Sequence, residues 1–530
     1  MSIAQNSALV RFFAALWAVL RSGWDESVPG KLFARIGLAV RRGVAGSRIC
    51  QFAWREGNLP KSWPVSITCR VLTTIINLPV LFVQWIYRLG KNLFDGSIAF
   101  RFASAVGGAG FLFVGFTMLI MLIVPHGSWD NGYALRCMIL VFLLFLAGAM
   151  ARPKHRLELT KLGPYFTLFM GFIVYGFFSS LGTDFSEGVL YGLTSEAKNI
   201  SLRFLVFYVI AFLITLMAVS TVQKTEQLQL MLAVVVAGLV VAALYGCYQG
   251  YVGVEVVPSQ QDMRLNPDMP GRVYSYFDNP NNFAEILVML MPFQAALLLN
   301  ARTWRGRVLA LGSIVPCLVA IGLTLSRSCW IGLVIALGVF LILINWRFLP
   351  LFLVLGLAAL PILPESIINR ILTIGNLKDS STQYRFAIYQ DTTYLIRDYG
   401  LRGVGLGTDV MKQVFQVYPT MYDGNYPIHT HNNYLQMWGE LGVFGAITYL
   451  AMVLHQIKAG VKSFYSSTNR AAKNILAAGV GAFCGISVIG VAEYTWFYPR
   501  NMFVYFFHRR GDQALQEENG IIRRRKSGGP

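Results

Sequence analysis

The sequence predicts an all-α, polytopic transmembrane helical bundle of about twelve spans, and three observations carry that expectation. Across 530 residues, 55% are apolar and only 13% are charged, with a mean hydropathy of +0.53. A soluble protein of this size needs far more charge to cover its surface. Several stretches of about twenty residues run almost free of charge, the length that crosses a hydrocarbon core of about 30 Å. The loops between them alternate in character, basic on one side and acidic or mixed on the other.

Residues 1–100 come first and are basic, with Arg11, Arg21, Lys31, Arg35, Arg41, Arg42, Arg48, Arg55, Lys61, Arg70, Arg88 and Lys91. Their apolar pieces, such as "ALVRFFAALWAVL" and "KLFARIGLAV", are short and carry arginine within the run. They read as amphipathic helices on an anionic inner leaflet. No small-residue cleavage site follows a clean apolar core, so a cleavable signal peptide is not expected. The formal charge of +19 is explained by orientation rather than by nucleic acid, since Lys and Arg collect on the cytoplasmic side of membrane proteins.

Residues 101–508 form the bundle, with spans near 102–124, 132–150, 163–182, 201–222, 228–248, 283–300, 308–326, 329–346, 348–363, 434–457, 475–494 and 496–508. The loops "RPKHRLELTK", "ARTWRGR", the Arg347 junction and "KAGVKSFYSSTNRAAKN" are basic, whereas "GTDFSEGVLYGLTSEAKN" is mixed. Both termini are therefore expected in the cytoplasm. Residues 249–282 and the large loop 364–433, between spans nine and ten, are then external. The chain closes on a basic cytoplasmic tail, 509–530. The seven cysteines are scattered, several of them inside spans (Cys137, Cys317, Cys484), and none forms a CxxC pair, so neither a disulfide framework nor a zinc site is indicated.

Charged side chains at the edge of a membrane are functional candidates by default. Here they gather at the external ends: Arg203 in "NISLRFLVFYVIAFL", Arg272 in "PGRVYSYFDNPNNFAEI", Arg327 in "LTLSRSCWIGL" and Arg385 in "QYRFAIYQ". His429 and His431 end the large loop, followed by Gln436 and Glu440 in span ten. Each has a bland reading. Arg203 can snorkel, Arg327 can be a hairpin arginine, and Arg385 can be a solvated loop charge. The histidine pair lacks a third ligand nearby, which argues against zinc. The glycine-rich "LRGVGLGTDV" has no strand–helix context and reads as a flexible turn rather than a phosphate cradle. Together, four arginines and two histidines on one face suggest a pocket for a strongly anionic group. Guanidinium pairs bidentately with phosphate oxygens, and a histidine can take a proton from a hydroxyl.

Four pieces carry a family resemblance: "GRVYSYFDNPNNFA" (271–284), "SRSCWIGL" (326–333), "YRFAIYQDTTYLIRDYGLRGVGLG" (384–407) and "HTHNNYLQMWGELGVFG" (429–445), with "TWFYPRNMFVYFF" as a closing hairpin. The chain resembles the O-antigen ligase and polymerase family of bacterial membrane glycosyltransferases, over about residues 160–508. The resemblance implies metal-independent, inverting transfer of a glycan from undecaprenyl diphosphate to an acceptor hydroxyl, on the outer face of the bacterial inner membrane. It implies no cofactor. His431 would be the base, Arg203, Arg272 and Arg327 would contact the donor diphosphate, and Arg385, His429, Asn432, Glu440 and Asn279 would support them. Expected partners are the lipid-linked donor, a lipid or saccharide acceptor and membrane lipids, with no nucleic acid.

Ligase and polymerase share this donor and differ in acceptor, which the motifs leave open. A transporter or flippase of lipid-linked sugars is the rival of another class. Such proteins place polar residues near the midplane on interrupted helices, whereas here they flank one large loop at one face.

Overall fold

The structure is a computed structural model, and it describes residues 57–182, 196–257, 269–407 and 427–508, with parts of 15–55 and 411–418. The basic tail 509–530 and most of the loop after the third expected span lie outside the described residues. The chain divides into two compact units, Met1–Ser62 and Trp63–Pro530. The first holds α1 (Val28–Gly46), entered through Ser27, whose hydroxyl accepts from the Gly30 N–H at 3.0 Å. Its Leu32 and Leu38 are exposed beside Lys31, Arg35 and Arg42.

In the second unit the helices are α2 (Ile67–Leu89), α3 (Ile98–Gly107), α4 (Gly110–Ile123), α5 (Asn131–Met150), α6 (Pro164–Gly182), α7 (Glu196–Thr221) and α8 (Thr225–Val252). They continue as α9 (Pro280–Asn300), α10 (Trp304–Leu323), α11 (Arg327–Asn345), α12 (Leu349–Ala359), α13 (Glu365–Leu372), α14 (Ser380–Tyr399), α15 (Asn433–Ser466), α16 (Arg470–Ile489) and α17 (Pro499–His508). Among the described residues the architecture is all-helical, as expected.

The count of twelve spans is not reproduced. Among the described residues nine helical runs are long and apolar enough to cross a membrane, or ten if α3 and α4, bent by 63°, make one span. Two physical reasons account for the difference. Residues 164–179 and α17 are shorter apolar helices, and α17 is buried among other helices rather than bathed in lipid. Conversely, α2, inside the segment read as interfacial, is 23 residues long and apolar enough to cross a membrane. It is docked by buried polar contacts: Asn77 Nδ2 donates to the Leu157 carbonyl at 3.1 Å, and Gln84 Nε2 to that of Ala149 at 3.1 Å. The run Arg327–Ile362 counts once, yet it folds back at Trp346–Phe348. Leu349 returns to 4.0 Å from where a Cβ on Gly338 would stand, and Leu363 packs in one cluster with Trp330. A hairpin with Arg347 at its turn is therefore present.

The centre of the bundle is α9, α11, α15 and α16, packed on one another. Small residues bring α11 and α16 together: a Cβ on Gly485 would meet the Gly332 carbonyl at 2.6 Å, and one on Gly481 would collide with that of Ala336. Close backbone approach of this kind is how helices associate where no hydrophobic force separates protein from lipid. One end of the bundle is tied by Asn300 Nδ2 to the Ala471 carbonyl at 3.2 Å and by Asn469 Nδ2 to Thr225 Oγ1 at 3.4 Å. At the opposite end the large loop returns to the helices.

Among its described residues that loop contains the helices α13 and α14. The glycine-rich segment after α14 corrects one expectation: it is pinned rather than flexible. Gly442 breaks α15 with φ 74°, which frees carbonyls of the preceding turn. The Val404 N–H donates to the Gly439 carbonyl at 2.8 Å and the Gly405 N–H to that of Glu440 at 3.1 Å. Gly403 (φ 77°) and Gly442 each lie so close to the facing backbone that a Cβ on either would collide with it. A kink whose orphaned carbonyls find partners is stable inside a bundle.

Candidate active site

The histidine turn is built first by its backbone. Asn432 caps α15, its Oδ1 accepting from the N–H groups of Tyr434 and Leu435 at 2.9 and 3.0 Å. The preceding His431 sits at φ 49°, left-handed backbone that a residue with a Cβ enters at a cost of about 1–3 kcal/mol. Its N–H donates to His429 Nδ1 at 3.2 Å, and its carbonyl accepts from Tyr389 OH at 3.2 Å. The Thr430 N–H donates to Gln436 Oε1 at 2.9 Å, and Gln436 Nε2 donates in turn to Glu440 Oε1 at 2.8 Å. Glu440 thus buttresses the turn from beneath. His429 is half-buried, its ring centroid 4.2 Å from that of His431. Burial, with His431 and Arg385 close by, pushes the His429 imidazole well below its usual range, so it is a neutral acceptor.

Around His431 stands a ring of polar groups centred on Glu493. Glu493 Oε2 lies 3.2 Å from His431 Nδ1. Its Oε1 accepts from Asn281 Nδ2 at 3.1 Å and from Arg385 Nη2 in an ion pair. Asn281 Oδ1 in turn accepts from Arg272 Nη2 at 2.6 Å, while Arg272 Nε donates to the Thr324 carbonyl at 2.8 Å. Burial would raise the Glu493 carboxyl, but Arg385, His431 and Arg272 outweigh it and hold it below the usual range. For Arg272, burial and the neighbouring Arg370 lower the guanidinium to about 10, with Arg385 acting the same way and Glu493 opposing. It stays a cation at neutral pH. Three guanidiniums thus lie near one another.

A second cluster holds Arg327. Its Nη2 pairs with Asp379 Oδ2 at 2.6 Å, and its Nη1 donates to the Thr373 carbonyl at 2.9 Å. Arg370 approaches the other Asp379 oxygen at 3.8 Å and donates through Nε to the Leu325 carbonyl at 3.3 Å. Asp379 also caps α14. Arg327 is therefore engaged by protein on both terminal nitrogens. Arg203 is placed differently again, exposed on α7 with its guanidinium 5.8 and 6.0 Å from the rings of Phe204 and Phe207. Asn279 caps α9 by accepting from the Asn281 N–H at 2.8 Å, so it is Asn281 that touches Arg272 and Glu493.

The structure thus brings together His431, Arg385, Arg272, His429 and Asn432, and places Arg327, Arg203 and Asn279 elsewhere or in supporting bonds. Sequence reasoning missed Glu493, Asn281, Tyr389, Arg370 and Asp379. Glu493 had a signal, a carboxylate within an otherwise apolar expected span. Strain marks the same place. Among the described residues the non-glycine positions with positive φ are Ser275, Leu325 and His431, on the three turns that carry Arg272, Arg327 and the histidines. Among the described residues, no group of three or more His, Cys, Asp or Glu side chains is placed to hold a metal ion.

Comparison with curated proteins and with solved structures finds no match. Residues 312–450 match the family model described as O-antigen ligase. That stretch runs from within α10 through the Asp379 cluster and the histidine turn into α15. The resemblance read from the motifs is supported over residues 312–450, which include the "SRSCWIGL", "YRFAIYQDTTYLIRDYGLRGVGLG" and "HTHNNYLQMWGELGVFG" pieces.

Proposed function

We propose that the protein transfers a glycan from a polyprenyl-diphosphate carrier, undecaprenyl diphosphate by family likeness, to an acceptor hydroxyl at the outward face of the inner membrane. The observation that carries this reading is the Glu493-centred ring, in which a histidine and two arginines from three separate segments meet. His431 is the base on the acceptor hydroxyl. Arg272 and Arg385 take up the charge that develops on the leaving diphosphate, an electrostatic role that suits fixed guanidiniums in a water-poor site. Among the donor contacts suggested by family likeness, Arg272 stands in the ring, while Arg203 and Arg327 stand outside it. Because the diphosphate is already a good leaving group, the reaction needs no metal in this reading.

Charge supports the orientation. The end of the bundle tied by Asn300 and Asn469 carries Arg302, Arg305, Arg307, Lys224, Arg470 and Lys473. By the positive-inside rule that end faces the cytoplasm in this reading, and the ring faces outward. An apolar groove of about 810 Å3 lies between α10, α11 and α13, lined by Leu318, Gly322, Trp330, Val334, Ile367 and Ile371. It suits an isoprenoid chain, and the same short helix α13 carries Arg370 toward Asp379.

Purified protein incubated with a polyprenyl-diphosphate glycan and a hydroxyl acceptor tests the reading. Transfer that survives chelation and is lost in His431→Ala, with folding intact, is expected; a ladder of lengthening products marks polymerase chemistry and a single addition marks ligase chemistry. A His431→Ala protein that still transfers removes the base, and a strict metal requirement removes the mechanism. Passage of donor across vesicles without any product marks a transporter.

A further inference from the structure

The transfer step as proposed assigns no part to the most connected carboxylate of the site. Glu493 is buried, yet its two oxygens are divided between two tasks. One oxygen holds Arg385 and, through Asn281, Arg272; the other faces His431 Nδ1 at 3.2 Å. The backbone on either side is fastened to the residues that flank His431. Asn432 Nδ2 and Tyr389 OH donate to the Val491 carbonyl at 2.8 and 3.1 Å, and the Thr495 N–H donates to Asn433 Oδ1 at 2.8 Å. The Asn433 N–H closes the set on the Gly490 carbonyl at 2.7 Å. The separation of Glu493 and His431 is thus fixed from both chain directions, and does not rest on their own bond.

We propose that Glu493 is the positioning residue of His431: it holds the ring proton on Nδ1, so that the lone pair sits on Nε2, across the ring from the carboxylate, where an acceptor hydroxyl can approach. The inference rests on the reading of His431 as the base. In the step it serves, the acceptor O–H bond breaks and its proton moves to Nε2. The oxygen's electron pair forms the bond to the anomeric carbon, and the bond from that carbon to the diphosphate oxygen breaks, its pair leaving with the diphosphate. The imidazolium so formed is stabilised by the carboxylate through Nδ1–H. A carboxylate that orients a histidine, fixes its tautomer and does not itself take the proton is known to raise rates by large factors. Glu493 is ionised for this role because Arg385 and Arg272 remain close, despite its burial. One carboxylate therefore sets both the base and the phosphate-facing guanidiniums.

Among the described residues the charged and titratable groups facing His431 are few. Glu493 lies on its Nδ1 side, with Arg385 behind it. The His429 ring lies tilted at 4.2 Å, the Tyr384 ring centroid is 6.2 Å away, and Tyr389 OH bonds its carbonyl. Of these only Glu493 is an anion, so it dominates the field along the Nδ1–H direction.

The test is the rate of transfer against pH for purified wild type, Glu493→Gln and Glu493→Asp, with a polyprenyl-diphosphate glycan and a hydroxyl acceptor. Glu493→Gln keeps the shape but admits either tautomer and removes the anion. Its kcat is expected to fall about 10²- to 10⁴-fold, with donor KM changed far less. The acid limb of its profile is expected at lower pH, because an imidazole without a neighbouring anion loses its proton more readily. Glu493→Asp restores the charge and is expected to return the acid limb toward wild type with part of the rate. A Glu493→Gln protein with wild-type kcat overturns the inference. So does one whose rate falls while its acid limb stays in place and its melting temperature drops, since that is a structural role alone. His431→Ala separates the two readings. If it retains transfer, the base itself is wrong; if it abolishes transfer while Glu493→Gln has no effect, only the role of Glu493 is lost.

Discussion

Two buried carboxylates gather cations at the loop-bearing end of this bundle, and they do so to different ends. Asp379 takes Arg327 and Arg370, and both arginines also donate to backbone carbonyls, those of Thr373 and Leu325. Glu493 takes Arg385 and His431, and neither Arg385 nor His431 is buried as deeply as the arginines of the first cluster. The side chains of Arg327 and Arg370 are 13% and 7% exposed, against 21% and 27% for Arg385 and His431. A cation locked on both sides by protein organises structure, since Asp379 starts α14 and Arg327 fastens that start to α11. A cation whose side chain is partly exposed can turn to a ligand. Under the proposed reading this difference favours Arg385 over Arg327 as a contact for the donor phosphates.

The largest effect that sharpens the contrast is on folding. Asp379→Ala strands two buried guanidiniums and removes a helix cap. Breaking a buried pair by deleting one partner costs about 3–5 kcal/mol, and loss of the cap adds about 1 kcal/mol. Thermal unfolding in detergent is expected to show a large drop for Asp379→Ala. Should its melting temperature match wild type, the first cluster is not structural and the contrast fails.

Next in size is Arg385→Ala, whose effect is expected on chemistry instead. Removing one donor aimed at developing charge costs about 10²–10³ in kcat. Arg385→Lys is expected to recover only part, because an ammonium cannot serve Glu493 and a phosphate oxygen with one planar fork. Glu493 keeps Asn281 and His431 in both variants, so their melting temperatures should fall less than that of Asp379→Ala. A rate for Arg385→Ala near wild type would place the donor phosphates elsewhere.

Part of this division was legible in the sequence. The apolar runs, the histidine–asparagine pair entering a helix and the arginines at the ends of spans all reflect local chemistry: a bilayer length, an N-cap, a charge that lipid will not accept. Partners were not legible, because they lie far apart in the chain. Glu493 is 62 residues from His431 and 108 from Arg385. Arg370 and Asp379 meet Arg327 only because α13 lies against α10 and α11. Asn279, named by the resemblance, caps α9, whereas the Asn281 side chain two residues later meets Arg272 and Glu493 only in the folded bundle. The span count suffered from the same limit. Apolar length reports what lipid would tolerate, and a short run such as α17 is buried by neighbours that the window does not see.

Arg327→Lys should have a smaller effect than either variant above. A lysine keeps one charged bond to Asp379 and loses the second, to the Thr373 carbonyl, worth about 1.5–3 kcal/mol for a charged donor. The expected signature is a lower melting temperature with donor KM nearly unchanged. A raised donor KM at unchanged stability would instead restore Arg327 to the diphosphate.

The smallest effect separates the clusters by pH, because histidine belongs to only one of them. His429 is held well below the ordinary imidazole value of about 6.5 by burial, by the His431 ring and by Arg385. As pH falls through about 6.5 the unfolded chain protonates this residue and the folded protein does not. The unfolded state then binds more protons, so the contribution of His429 is complete above about pH 6.5 and declines below it. Glu493, whose folded value is depressed, acts in a second window. Its contribution is complete above the ordinary glutamate value of about 4.3 and is lost as pH drops through the lower folded value. His429→Gln preserves a neutral acceptor for the His431 N–H and removes only the upper window. Wild type should therefore lose melting temperature between about pH 7 and 5, the variant should be flatter there, and both should fall together in stronger acid. If the variant falls as steeply as wild type in the upper window, His429 is open to water.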